Sequence, residues 1–450
     1  MRRRVAEGHL RTGKSFRILS FLLLLLLAWL LGQEGVPVED GPELLTVARL
    51  GGTNHPPGMP LLSLLCRTSW ILMGDSGLRV LFALMAAASL WLLSDRRGLA
   101  GLMLSAGILL LPAARERLLQ WDAYGPLFLL FAAGYRFRRA DALLAGFLTG
   151  LALAVHPMGI LMALLWVRRR TPLLRAFCGI ALGLSVYLAL PLYSAAGAVV
   201  DWGSPSDLGS FFRQVTAGGY REVYGPQMGG QALRPLAEHA IVLGKMLWPV
   251  LGVMTAIGLV AFIRRHWGIA ARLGALLVAE GLFVWLVNPM AAGTSQTGVL
   301  SLFALVVLAF ASLSLLHAPQ RHLLAAAVLI SGLLGSRPLP DQRARIEAML
   351  SEAPPLSCFV LQSNDLLYGC WQLKYVEDRR PDVVLLSTGN FSAWFEGMVN
   401  HFNPGMDLST GIADVGGTGL SRSEAAARLV EAARELNPKR PFLTDASIGK

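Results

Sequence analysis

The sequence predicts an all-α polytopic membrane domain followed by a small α/β domain on the far side of the membrane. Three observations carry that prediction. Hydrophobic residues make up 54% of the 450 positions and charged residues only 15%, against about 45–50% and about 25% in a soluble domain. Apolar runs of membrane-crossing length recur through residues 1–336, separated by arginine clusters. After residue 336 the runs stop and short apolar segments alternate with charged, helix-forming ones. This composition excludes a disordered chain, a fibre and an ordinary cytosolic enzyme.

The first element is a helix at about 16–32, where a basic stretch leads into LSFLLLLLLAWLLG without an A-x-A-like cleavage site. Ten further spans are expected at 77–93, 98–112, 122–136, 140–156, 157–167, 173–194, 241–263, 269–288, 296–316 and 322–336. Lys and Arg mark cytoplasmic loops. With the N-terminus inside, the inner loops hold Arg96 and Arg97, Arg136, Arg138 and Arg139, Arg168 to Arg170 with Arg175, Arg264 and Arg265, and Arg321. That bookkeeping makes 140–167 a hairpin turning near His156-Pro157. It also keeps PLLSLLCRTSWILM (60–73), which carries Arg67, at the interface rather than across it. Eleven crossings then put the C-terminus outside, with a multi-pass location in a membrane such as the bacterial inner membrane.

Residues 1–336 carry 28 Lys/Arg against 15 Asp/Glu, and residues 337–450 carry 12 against 14. The net charge of +11 therefore belongs to the membrane domain. Positive-inside arginine explains it, and no nucleic-acid partner is implied. The outer side receives 33–76, 195–240 and the tail 337–450. In the tail, LSCFVLQS (356–363), DVVLLST (382–388) and RPFLTD read as strands. NDLLYGCWQLKYVED and SRSEAAARLVEAAREL read as helices, the second opened by a capping box of Ser421 with Glu424. The alternation predicts a largely parallel sheet. No Gly-rich phosphate loop follows the first strand, and GGTGL (416–420) reads as a loop. Four cysteines without a CxxC pair exclude a disulfide scaffold and a zinc module. Cys358 and Cys370 would share an oxidising compartment, which permits a bond or leaves two buried thiols.

The first outer loop, VPVEDGPELLTVARLGGTNHPPGMPLL, concentrates reactive groups. Glu39, Asp40 and Glu43 lie just past the first helix, and nothing about membrane insertion requires them. His55 stands before two prolines, which fix φ and hold it at a rigid corner. Glu280 falls inside the span LLVAEGLFVWLV, where an ionisable side chain is a functional candidate or a bonded partner of a neighbouring helix.

This loop resembles the first outer loop of the GT-C membrane glycosyltransferases, in particular a bacterial family of unknown-function domains that includes a vertebrate protein O-mannosyltransferase. Asp40-Gly41-Pro42-Glu43 and HPPGMPL are similar to its D-x-x-E and HPPGYPL-like elements. The resemblance continues through WDAYGPLF (121–128), GLALAVHPMGILM (150–162), GLSVYLALPLYSAAGAVVDWGSPSDLGSFFRQVTAGGY (183–220) and NDLLYGCWQLKYVEDRRPDVVLLS (364–387). Met59 stands where an aromatic is usual, Gly41 where Ser or Thr is, Asp122 where Glu is, and Tyr193 where Arg is commonest.

The resemblance implies transfer of a sugar, with mannose one candidate, from a polyprenyl-phosphate donor to a hydroxyl on a protein, lipid or glycan acceptor at the outer face. An attacking hydroxyl needs a proton acceptor. Asp40 is the implied base, with Glu43 as its helper or the base itself. The leaving phosphate needs cationic or N–H donors, and His55, Arg49, Arg213 and His156 are the candidates. Asp122, Tyr124, Asp201 and Trp202 are candidates for contacting acceptor or sugar. Direct displacement would invert the anomeric carbon. No metal is required by the spacing, although carboxylates suit a divalent cation such as Mg or Mn.

Two other classes compete with this reading. A glycolipid transporter or flippase would also have many spans, but it would place its charges near the midplane. Here Glu39, Asp40, Glu43, Asp122 and Asp201 fall at the outer surface and Glu280 alone lies deep. A catalytically silent cell-envelope assembly protein would use the tail to bind a partner.

Overall fold

A computed structural model of the chain describes residues 13–94, 97–139, 141–168, 171–218, 233–247, 249–288, 292–294, 296–388, 393–406 and 422–444. The chain is largely helical, with two short sheets. It divides into two compact units. One comprises 1–33, 79–186 and 222–339, and the other 34–78, 187–221 and 340–450. A single cut at 336/337 does not describe this division. Residues 34–78 and 187–221, most of the two loops expected outside, cluster with the tail.

Among the described residues, four helical stretches are long and apolar enough to cross a membrane: Lys14–Leu31, Pro60–Ser94, Leu173–Ala195 and Trp267–Leu286. Six qualify if each of two sharply bent helix pairs counts as one span. These pairs are Gly98–Leu110 with Pro112–Leu119, bent by 85°, and Arg234–Met246 with Pro249–Arg265, bent by 96°. Pro60–Met73, expected at the interface, is followed by a 3₁₀ turn at Gly74–Ser76 and the helix Gly77–Ser94, and together they make an apolar helical stretch of 35 residues broken at Gly74. The second limb of the expected 140–167 hairpin is a 3₁₀ turn at Pro157–Met162 and one turn of helix at Ala163–Trp166. That is half the length of about 20 residues that a crossing requires.

The helix Lys14–Leu31 buries a narrow face and exposes a broad one, whereas Val299–Ser312 is buried all round. On Lys14–Leu31 the buried side is Ser20, Leu24 and Ala28, while Ile18, Leu22, Leu26 and Leu30 face outward at four-residue spacing. Outward stripes of large apolar side chains suit lipid rather than water. Glycines set the closest approach. Gly146 and Gly150 on Ala142–Leu153 face Gly179 and Gly183 on Leu173–Leu184. A Cβ at Gly146 would lie 2.1 Å from the carbonyl oxygen of Ala176, and one at Gly150 would lie 2.3 Å from that of Ile180. Both helices carry a four-residue glycine repeat, the pattern that brings membrane helices into backbone contact.

The second unit is built on a three-stranded parallel sheet. Cys358–Leu361 lies between Val384–Ser387 and Phe442–Thr444, with Cys358 opposite both Val384 and Phe442. The central strand and its neighbour Val384–Ser387 are buried at every position, as a sheet covered on both faces requires. Asn364–Trp371 is the crossover helix, and its last turn widens to a π turn at Gln372–Val376. Arg343–Glu352, Ala393–Phe402 and Arg422–Leu436 complete the tail's helices. Ser421 and GGTGL lie outside the described residues. Cys358 and Cys370 are free and buried, and burial pushes the Cys358 thiol up to about 12. Val36, Val47, Val200 and Trp202 from the loops join Phe359, Tyr368, Trp371 and Leu385 in one core.

Candidate functional site

The site begins where the loop chain is strapped to the tail of the second unit. The Val36 N–H donates to Asp341 Oδ1 at 2.8 Å, and the Val36 carbonyl accepts from the Gln342 N–H at 2.9 Å. Gln342 Nε2 donates to the Pro37 carbonyl at 2.8 Å, and Gln372 Nε2 to the Gly35 carbonyl at 3.0 Å. Gly35 has a φ of 71°, and a Cβ there would lie 2.3 Å from the Asp341 carboxylate. Glu39 is held at a φ of 61°, uncommon for a residue with a side chain, while its N–H donates to Asp365 Oδ1 at 2.9 Å.

That turn delivers Asp40 to the N-cap of the Gly41–Leu50 helix. Asp40 does not cap the helix with its side chain, which a cap residue ordinarily does. Pro42 suits the first turn, where no N–H is needed. Glu43 follows in the same turn and is fully buried. Both its oxygens hold His55: Oε1 accepts from the His55 main-chain N–H at 2.8 Å, and Oε2 lies 2.5 Å from Nδ1. This double contact fixes the ring, and its far nitrogen Nε2 lies 3.8 Å from Asp40 Oδ2. The Asp40 side chain is 19% exposed and that of Glu43 is 0%. Of the two carboxylates, only Asp40 is reachable from outside, and Glu43 holds the His55 ring.

Burial is the largest influence on Asp40 and raises its pKa. His55 opposes that rise, while Glu43 and Asp365 add to it. The carboxylate is thus driven toward greater basicity by desolvation and by two acids from different elements. Asp40, Glu43 and His55 also present ligand atoms within 4.8 Å of one another, close enough to share a cation. Glu43, however, already spends both oxygens on His55.

Residues 52–59 and 200–202 wall this corner. Gly52 pairs with Val200 and Thr53 with Asp201 in a two-residue parallel ladder. Gly52 has a φ of 129°, and a Cβ would lie 1.9 Å from the Val200 carbonyl oxygen, so only glycine fits. The Trp202 ring meets the His55 ring edge-on at 6.2 Å between centroids. Asp201 Oδ2 accepts from the Ser194 hydroxyl at 2.7 Å, and burial raises its pKa. Gln214 Nε2 donates to the Asn54 carbonyl at 3.1 Å.

The remaining expected residues fall elsewhere. Arg49 closes an ion pair with Asp378 at 2.9 Å, at the opposite end of the helix from Asp40. Arg213 is exposed on Leu208–Val215. Asp122, Tyr124 and His156 belong to the first unit. There Asp122 is buried and its Oδ1 accepts from the Ala123 N–H at 2.5 Å. Tyr124 and His156 pack ring to ring at 5.3 Å, and His156 Nδ1 caps the Pro157–Met162 turn by accepting from the Met158 N–H at 3.2 Å. Glu280 caps the helix Val299–Ser312, accepting from the N–H groups of Leu300 and Ser301 and from the Ser301 hydroxyl at 2.6 Å. That is a structural use of a deep carboxylate.

Asp365 and Gln342 shape the site and were not singled out as site residues by sequence reasoning. Asp365 does lie in the 364–387 segment that carries part of the resemblance. Gln342 has no local signal, because its partners Val36 and Pro37 on the loop are about 305 positions away. Compared with known proteins, the chain matches no family model and no curated sequence.

Proposed function

We propose that the chain is an integral membrane glycosyltransferase that moves a sugar from a polyprenyl-phosphate donor to an acceptor hydroxyl, with Asp40 as general base. The observation that most supports this reading is the division of labour between two carboxylates one helical turn apart. The reachable one has a raised pKa, and the buried one clamps the histidine between them. In the reaction, Asp40 takes the proton of the acceptor hydroxyl as its oxygen attacks the anomeric carbon. The bond from that carbon to the phosphate oxygen breaks, polyprenyl phosphate leaves, and the configuration inverts. His55 turns its Nε2 toward the same space, suited to hydrogen bonding there. The exposed apolar helices suit a lipid-linked donor.

The test is a transfer assay in purified protein with a polyprenyl-phosphate sugar and titrated donor. Asp40→Asn should lower turnover by about 10²–10⁴-fold, the usual share of general-base catalysis, while leaving the KM for donor little changed. Near-normal turnover in Asp40→Asn would sink the assignment. Loss of all transfer on chelation, restored by Mn, would favour a second reading, in which Asp40, Glu43 and His55 hold a cation.

A further inference from the structure

The helix Leu208–Val215 in the second unit carries an apolar face that the reading above leaves unused. Its start is fixed by the sequence. Asp207 caps it, accepting from the Gly209 and Ser210 N–H groups, and the Ser210 hydroxyl donates back to Asp207 Oδ2 at 2.7 Å. At about 100° per residue, Leu208, Phe211, Phe212 and Val215 fall on one side, with Ser210 and Gln214 on the other. Leu208 is 76% exposed and Phe212 59%. The opposite side is packed: Gln214 is buried, and its Nε2 donates at 3.1 Å to the carbonyl of Asn54, the residue before His55.

This helix is held beside the end of a membrane span. The span Leu173–Ala195 finishes in the helix Ala189–Ala195, which belongs to the same unit. A Cβ at Gly58 would lie 2.9 Å from Leu190 Cδ1 and 3.6 Å from Gln214 Nε2, so the end of the span and the amphipathic helix meet at one glycine. Leu188 and Leu192 at that end are themselves exposed. The tail from residue 340 onward exposes only Leu356 and Leu436 among its described large apolar side chains. A large apolar side chain facing outward at the level of a span end meets lipid rather than bulk water. Eight residues of helix cover about 12 Å, too short to cross a bilayer and long enough to lie flat in its surface. Arg213, exposed on the flank of the apolar side, suits the headgroup layer.

We propose that Leu208–Val215 lies in the membrane interface with Leu208 and Phe212 among the lipid chains, and that Gln214 on its other side ties the Asn54–His55 corner to the bilayer surface. The occupant of the apolar face is the lipid surface, not a second protein. The proposal needs the chain to be in a membrane and does not depend on sugar transfer.

The experiment measures depth in the full-length protein reconstituted in phosphatidylcholine bilayers. The exposed Cys178 is replaced by serine, and the other three cysteines are buried. A nitroxide is then attached singly at Leu208→Cys, at Phe212→Cys and, as a water-facing reference, at Ser351→Cys on the exposed surface of the tail. Collisions with oxygen, which concentrates in the bilayer, are compared with collisions with a water-soluble nickel chelate. Oxygen should dominate at 208 and 212, at a depth of about 5–10 Å into the headgroup and acyl boundary, and the chelate should dominate at 351. Chelate-dominated collisions at 208 and 212 would place the face in water and overturn the proposal. Low collision rates with both reagents would overturn it too, because a protein partner or a second copy would then cover the face. The tie to the site is read separately, by hydrogen exchange over residues 54–58. Gln214→Ala should speed that exchange about fivefold, as loss of one buried hydrogen bond predicts, and unchanged exchange would remove Gln214 as the tie.

Discussion

Glu43→Gln isolates the positioning carboxylate while keeping its shape. Glu43 is fully buried and gives one oxygen to the His55 main-chain N–H at 2.8 Å and the other to Nδ1 at 2.5 Å. Glutamine offers one acceptor and one donor. If its oxygen keeps the main-chain N–H, its amide hydrogens face Nδ1. The ring must then accept at Nδ1 and carry its proton on Nε2, toward Asp40 3.8 Å away. A proton placed there would face the carboxylate, partly offset its charge and make it a weaker acceptor for the hydroxyl proton. Loss of one hydrogen bond to a charged group is worth about 1.5–3 kcal/mol, which at 1.36 kcal/mol per decade is about 10–150-fold in turnover. The assay is steady-state transfer with donor and acceptor each titrated, on Glu43→Gln, Asp40→Asn and the double variant. Groups acting as a unit are non-additive, so the double variant should be scarcely slower than Asp40→Asn. Turnover of Glu43→Gln within about twofold of the unmodified protein, or full additivity in the double variant, would refute the positioning role.

Three further outcomes follow from particular contacts. Asp40→Asn should raise the thermal midpoint at neutral pH. The folded-state pKa of Asp40 is raised, so ionising it costs the fold stability as pH climbs from the ordinary carboxylate value of 3.8 through the raised one, and the gain should vanish at pH below that range. Gly146→Val should abolish detergent-stable protein or lower its thermal midpoint, because a Cβ would sit 2.1 Å from the Ala176 carbonyl oxygen, and overpacking costs about 1–3 kcal/mol. Lys374→Met should destabilise the tail by about 1–3 kcal/mol, read by limited proteolysis, because Nζ donates to the carbonyls of Pro381 and Val383 and to Asn403 Oδ1 at 2.8, 2.5 and 3.1 Å.

Local signals were legible and distant ones were not. The strands at 356–363 and 382–388 show as unbroken apolar runs, and the structure pairs them in parallel over Cys358–Leu361 and Val384–Ser387. The lengths of the membrane helices were harder to read, because hydropathy cannot distinguish a straight span from two short helices. LLLPAARERLL reads as the end of one span and a loop, yet it turns by 85° at Leu111-Pro112. The four-residue spacing of Gly146 with Gly150 and of Gly179 with Gly183 is a packing signal carried by the sequence itself.

The clustering of Asp40, Glu43 and His55 was foreshadowed by their spacing, but their separate roles were not. Sequence alone treats Asp40 and Glu43 as equivalent acids on one turn. The difference comes from a β-ladder at Gly52 and Val200 that folds His55 back over Glu43 and leaves Asp40 at the edge. The source of the raised Asp40 pKa follows the same rule. The acids that act on Asp40 are one turn along the helix and some 325 residues away. A general base needs a carboxylate that is desolvated yet reachable, and both conditions are set by what folds over it. The tail of the second unit therefore helps build the site: its Asp341, Gln342 and Asp365 hold the turn that places Asp40.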